Sequence, residues 1–138
     1  LVGKVGDNVL KIEIDDDTEL HVISANLNRL NELKIPNGSK LNLNNVTYLE
    51  IVNIGSATTA ITNWKGRYLT YVHKFYCRAN TAPTVSSDCF YYSSDAYMGR
   101  NTNQTKILYV PANSTGYDEG IWKSELIDKC GFTLSKTL

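Results

Sequence analysis

Residues 72–80 read Val-His-Lys-Phe-Tyr-Cys-Arg-Ala-Asn, with apolar side chains at Val72, Phe75 and Cys77 and an asparagine at Asn80. Side chains alternate faces along β-structure, so this spacing puts Phe75 and Cys77 on one side of a short strand and Tyr76 on the other. Asn80 is suited to bond backbone groups where the chain leaves the strand. The same spacing, without the closing Asn, occurs at Leu30-x-x-Leu33-x-Ile35 and Val46-x-x-Leu49-x-Ile51. A shorter apolar-x-apolar triad recurs at Ile12-Glu13-Ile14, Leu20-His21-Val22, Leu41-Asn42-Leu43 and Leu108-Tyr109-Val110. Turn residues separate these triads, among them Asp15 to Asp17, Pro36-Asn37-Gly38, Asn80 to Pro83 and Pro111 to Ser114.

Alternation over so few residues predicts short, half-buried strands rather than helices. The connections look too long and irregular for two-residue hairpins, which leaves parallel stacking in a coil, each strand burying its apolar pair against its neighbours. Leu33, Leu49, Phe75 and Leu108 are spaced 16, 26 and 33 residues apart, scattered around the ~20–29 residues of one strand-plus-return repeat. The tail reads as a cap. Pro111 ends a strand, Ser114 or Thr115 is placed to N-cap a helix, and Asp118 and Glu119 suit its first turn. Tyr117, Ile121, Trp122 and Leu126 form one stripe, read as core, and Gly131 stands where a helix-ending glycine belongs. Phe132-Thr133-Leu134 is expected to be a last short strand.

The segment 75–90 followed by 108–114 resembles the C-terminal end of BspA-like leucine-rich-repeat proteins. In that family a strand is followed by a T-x-P-x-apolar-x-x-x-x-Phe stretch, then apolar-Tyr-Val-Pro and a Trp-containing helix. The matching residues here are Thr81, Pro83, Val85 and Phe90, then Tyr109, Val110 and Pro111, then Tyr117 and Trp122. The resemblance covers about residues 68–138; the family's A-F-x-x-C element is missing from 1–66. It implies an α/β repeat, a short leucine-rich-repeat-like solenoid with parallel strands, capped by a C-terminal helix and short strand. One domain over 1–138 is expected, with short irregular repeats in 1–66 and the terminal repeat and cap in 67–138.

Composition narrows the function. The chain has 138 residues, with 14 Lys+Arg against 14 Asp+Glu. That balance argues against nucleic acid or an anionic membrane as partner, since both demand a basic footprint. No run approaches the ~20 apolar residues that span a bilayer. The chain opens Leu1-Val2-Gly3 without an initiator Met, and is expected to be part of something longer. Asn and Thr number 14 and 13, and nine Tyr stand against three Phe, a balance typical of extracellular surfaces. Cys77, Cys89 and Cys130 form no C-x-x-C pair and read as buried free thiols rather than a zinc site.

Stacked in register, the middle residues of the triads share an open face: Glu13, His21, Lys34, Asn42, Glu50, Tyr76 and Tyr109, flanked by Glu32, Tyr48, Lys74 and Arg78. Lys34 and Glu50 are expected to be neighbours. The face reads either as a solvated sheet surface or as a recognition surface, for which Tyr and Arg are well suited. A second candidate is the segment between Phe90 and Lys106, with Tyr91, Tyr92, Tyr97 and Arg100, where tyrosines offer stacking area at little entropic cost. The candidate ligand-binding set is therefore Lys34, Glu50, Tyr76, Arg78, Tyr109, Tyr91, Tyr92 and Tyr97. The acidic run Glu13 to Glu19 has no calcium-loop spacing and reads as a solvated turn. No nucleophile elbow, phosphate-cradling loop or H-E-x-x-H occurs, so no catalytic residue, cofactor or metal is expected. The resulting expectation is a non-catalytic binding or adhesion module of a secreted or cell-surface bacterial protein, recognising protein or glycan. The alternative is a structural component of a phage particle or larger surface assembly.

Overall fold

The computed structural model describes the backbone of residues 2–5, 8–15, 19–24, 46–51, 60–61 and 65–138, and the side chains of 47–50 and 65–138. The strands are β1 (Val2–Val5), β2 (Asn8–Asp15), β3 (Glu19–Ser24), β4 (Val46–Ile51), β5 (Ala60–Ile61), β6 (Lys74–Cys77), β7 (Thr84–Val85), β8 (Tyr91–Ser93), β9 (Ala96–Tyr97), β10 (Ile107–Val110) and β11 (Thr133–Lys136). Seven of them form one sheet in the order β1-β2-β3-β4-β6-β10-β11. From β3 to β11 every pairing in it is parallel. Leu49, Phe75, Leu108 and Leu134 lie side by side in successive strands, 26, 33 and 26 residues apart. Between visits to this sheet the chain makes a second, two-stranded parallel ladder from β5 and β7, and Thr81 bridges Thr115 in the same sense.

The apolar members of the triads supply the core. Leu49, Phe75, Cys77, Leu108 and Val110 are fully buried, and Phe90, Tyr117, Trp122, Leu126 and Phe132 close over them from the segments that follow β7 and β10. The family-like motif has a physical role here. Trp122 Nε1 donates to the Pro83 carbonyl at 2.8 Å, and its ring packs on Phe75, Phe90 and Tyr117 with centroids 5.9, 4.9 and 4.9 Å away. Asn80 contributes through its backbone, its carbonyl accepting from the Thr115 N–H.

Three expectations need correction. The first triads, Ile12-Glu13-Ile14 and Leu20-His21-Val22, do not stack in parallel on each other: β1 with β2 and β2 with β3 are antiparallel, while the triads at Leu33 and Leu41 lie outside the described residues. Val5 pairs with Asn8, leaving only Gly6-Asp7 between strands, and Asp15 pairs with Glu19 across three residues. A parallel crossover needs a dozen residues or more, so connections this short impose hairpins. The helix also begins later than the Ser114/Thr115 cap would place it. Thr115 is taken up in its bridge to Thr81, and the helix starts at Gly120-Ile121 and runs on as a π-type segment, Trp122–Ile127, with i→i+5 bonds from Asp128 N–H to Lys123 O and Cys130 N–H to Glu125 O. Gly131 ends it with φ +83°. The last strand is shifted to Thr133–Lys136, leaving Phe132 buried against the core.

Candidate functional site

Because Leu49, Phe75 and Leu108 point into the core, the period of two sends Tyr48, Glu50, Tyr76 and Tyr109 to the opposite face. Register does the rest: Glu50, Tyr76, Tyr109 and Ser135 are successive partners across β4, β6, β10 and β11, and Tyr48 pairs with Lys74 one step earlier. The rings form a ladder. Tyr76 and Tyr109 stack with centroids 4.4 Å apart and planes at 17°, and Tyr48 and Tyr76 lie 5.0 Å apart at 31°. Beyond Tyr109 the row ends on Ser135, whose side chain is too short to cover the ring.

Glu50 anchors the ladder. It is only 7% exposed; the Tyr48 hydroxyl donates to its Oε2 and Arg78 Nε donates to its Oε1 at 2.5 Å. Arg78 stays about half exposed, so the pair orients side chains more than it stabilises the fold. Hydrogen bonding to Glu50 holds the Arg78 guanidinium above its ordinary value. Burial, reinforced by the hydrogen bond to Glu50 and its charge, pushes the Tyr48 phenol far up. Burial also raises Tyr76, helped by Tyr109 and Glu50.

A pH dependence follows. The folded chain holds the Tyr48 proton more tightly than the unfolded chain, so stability is full below the usual phenol pKa of about 10 and declines as pH rises above it. Tyr48→Phe is expected to give a shallower loss of urea midpoint between about pH 9 and 11. Parallel alkaline slopes in both proteins would count against the Tyr48–Glu50 contact.

Four candidates from the sequence meet at this site: Glu50, Tyr76, Arg78 and Tyr109. Lys34, and with it the expected Lys34–Glu50 neighbourhood, lies outside the described residues. The β3–β4 register shifts between Leu20 and His21, which places Ile23 beside Glu50, and Glu50 is paired with Arg78. Tyr48, earlier only a flanking residue, belongs to the site, and its position two residues before Glu50 on the same strand was the available signal.

The other tyrosines separate from this group. Tyr91 and Tyr97 stack at 5.3 Å across the β8–β9 hairpin and pack against the core, under Lys129 and Lys106 respectively. They roof the interior on the side away from the ladder. Tyr92 turns outward, 62% exposed, with the Arg67 guanidinium 4.6 Å above its ring and 5.1 Å from that of Tyr68. Arg100 is spent on its own turn, donating from Nε to the Ser94 carbonyl at 3.0 Å.

Sequence reasoning also missed Glu125. This buried carboxylate accepts from the backbone N–H groups of Asp88, Phe90 and Tyr91 at 2.8, 3.0 and 3.2 Å. Nothing local announces it, because the three donors lie 34 to 37 residues away. The three cysteines form no disulfide and are buried, their thiols pushed up by burial to about 11 for Cys77 and Cys89 and about 12 for Cys130. Thiols held this far up are protonated at neutral pH and poor nucleophiles. Among the described residues no group of three His, Cys, Asp or Glu is arranged to hold a metal ion, and no helix is long and apolar enough to cross a membrane.

Comparison of the chain with protein-family models, with curated proteins and with solved structures finds no match.

Proposed function

We propose that this chain is a non-catalytic recognition module, a short leucine-rich-repeat-like solenoid carried by a secreted or cell-surface bacterial protein, that binds a protein or glycan ligand along its tyrosine ladder. The observation that carries this reading is the in-register row Glu50, Tyr76, Tyr109 with Tyr48 stacked against it. Rings already packed on one another lose little rotamer freedom when a ligand arrives, which is how aromatic surfaces gain affinity cheaply. Hydroxyl-bearing ring edges then offer hydrogen bonds, and the outer face of Tyr109 offers one stacking platform. The repeated parallel return to one sheet, with a second parallel ladder between visits, supports the solenoid reading.

A glycan array and a protein pull-down identify ligands, and Tyr76→Ala and Tyr109→Ala then test the face. Each substitution is expected to weaken binding about 10-fold, or about 1.4 kcal/mol, with melting changed little because both rings point away from the core. A ligand whose affinity survives both substitutions would move the site elsewhere.

A further inference from the structure

The parallel strands leave an open cleft of about 480 Å³ at the entry to β6, lined by Thr47, Tyr71, His73, Lys74 and the 102–105 segment. Through Lys74, the sheet partner of Tyr48, it borders one end of the tyrosine ladder, but Tyr76 and Tyr109 do not line it and it does not depend on the function proposed for that face. Its volume falls within the ~300–1,000 Å³ of small-molecule sites. Thr47 Oγ1 is buried there without a hydrogen-bond partner, at the point where the β3–β4 register shifts. A buried hydroxyl left in that state is costly unless something else supplies the bond. His73 is only 8% exposed, with Nδ1 3.4 Å from the Tyr71 carbonyl.

The walls are tied to each other before any ligand arrives. Gly99 N–H donates to the Leu69 carbonyl at 3.1 Å, and Asn101 N–H to the Thr70 carbonyl at 2.8 Å. Asn101 Nδ2 adds a bond to Thr70 Oγ1 at 3.1 Å. The lining chemistry is specific. Hydroxyls of Thr47, Thr102 and Thr105 and the amide of Gln104 both donate and accept, which suits a polyhydroxyl compound. Tyr71, 39% exposed, offers an apolar ring at the rim. Among the described lining residues Lys74 is the one Lys or Arg, and no carboxylate accompanies it. A single ammonium answers a single carboxylate, whereas phosphate sites usually gather several donors in a fork or nest.

From these observations we infer that the cleft binds an acidic monosaccharide unit, its carboxylate at Lys74, its hydroxyls on the threonines and Gln104, and its ring against Tyr71. The test is titration of the full chain with D-glucuronic acid, D-glucose and glucose 6-phosphate, followed by amide shifts in NMR. Glucuronic acid is expected to shift His73, Thr102 and Gln104 and to bind about 10-fold tighter than glucose. Lys74→Gln, at an exposed position, is expected to abolish the preference for the acid, bringing the two sugars to parity without lowering the melting temperature. Tyr71→Ala is expected to weaken both about 10-fold. The inference fails if no sugar shifts the cleft amides, if the phosphate sugar binds tighter than the uronic acid, if Lys74→Gln leaves the acid preference intact, or if the shifts map to Tyr76 and Tyr109. Loss of ladder binding in Tyr109→Ala, outside the cleft lining, is expected to leave these titrations unaffected, so the two readings fail separately.

Discussion

Replacing Trp122 with alanine is expected to lower stability by about 3–5 kcal/mol, the range for truncating a large buried aromatic. The indole touches three rings, Phe75, Phe90 and Tyr117, and each comes from a different segment of the chain. Its Nε1–H also closes the Pro83 carbonyl at 2.8 Å, so truncation leaves a buried acceptor unpaired as well as a cavity. A domain this size commonly has ~5–15 kcal/mol in total, so the cap would sit near the edge of unfolding. Trp122→Phe is the informative companion. It retains most of the packing and loses the hydrogen bond, and is expected to cost about 1–2 kcal/mol. Urea melts followed by circular dichroism measure both, and equal stability of Trp122→Ala and the parent would show that the cap does not close the core.

Glu125→Ala is expected to cost about 3 kcal/mol, because it strips acceptors from three backbone N–H groups at once. The carboxylate spans the turn that carries Asp88, which is held at φ +61°, and the start of β8. Glu125→Gln keeps one oxygen but turns an NH2 group toward a donor, so it is expected to recover less than half of the loss. The readout that separates this role from simple packing is amide hydrogen exchange. Protection should fall at Phe90 and Tyr91 in Glu125→Gln even under conditions where the strands around Leu108 remain protected. Unchanged exchange at those two amides would rule out the bracing role. Trp122 and Glu125 share one helical turn, so their combined substitution is expected to be less than additive.

Much of this architecture is written in local pattern. Period-two alternation at 48–51, 74–77 and 107–110 is enough to say which side chains are hidden and which face out, because a strand allows only two directions. Of the stripe Tyr117, Ile121, Trp122 and Leu126, three side chains are buried and Ile121 partly so, but Tyr117 precedes the helix, which starts later than the capping residues implied. The alternation could not say which way neighbouring strands run. That depends on connection length: only Gly6-Asp7 separate β1 from β2, whereas the connections were expected to be too long and irregular for hairpins.

Glu50, Tyr76 and Tyr109 were legible as candidates because each sits at the centre of an apolar pair, and a parallel register then brings such residues together. Their partners were not legible. Glu50 meets Arg78, 28 residues on, and neither that pairing nor the β3–β4 register shift that places Ile23 beside Glu50 is recorded by composition or spacing. The split of the tyrosines followed the same logic: Tyr91 and Tyr97 fold inward because the hairpin lands on the core, an outcome of where distant segments pack. Periodicity therefore established the faces of each strand, a property of a few consecutive residues. Neighbours across the sheet, the reach of Glu125 to three remote amides and the cleft below β6 arise from contacts tens of residues apart, whose geometry exists only once the chain has closed on itself.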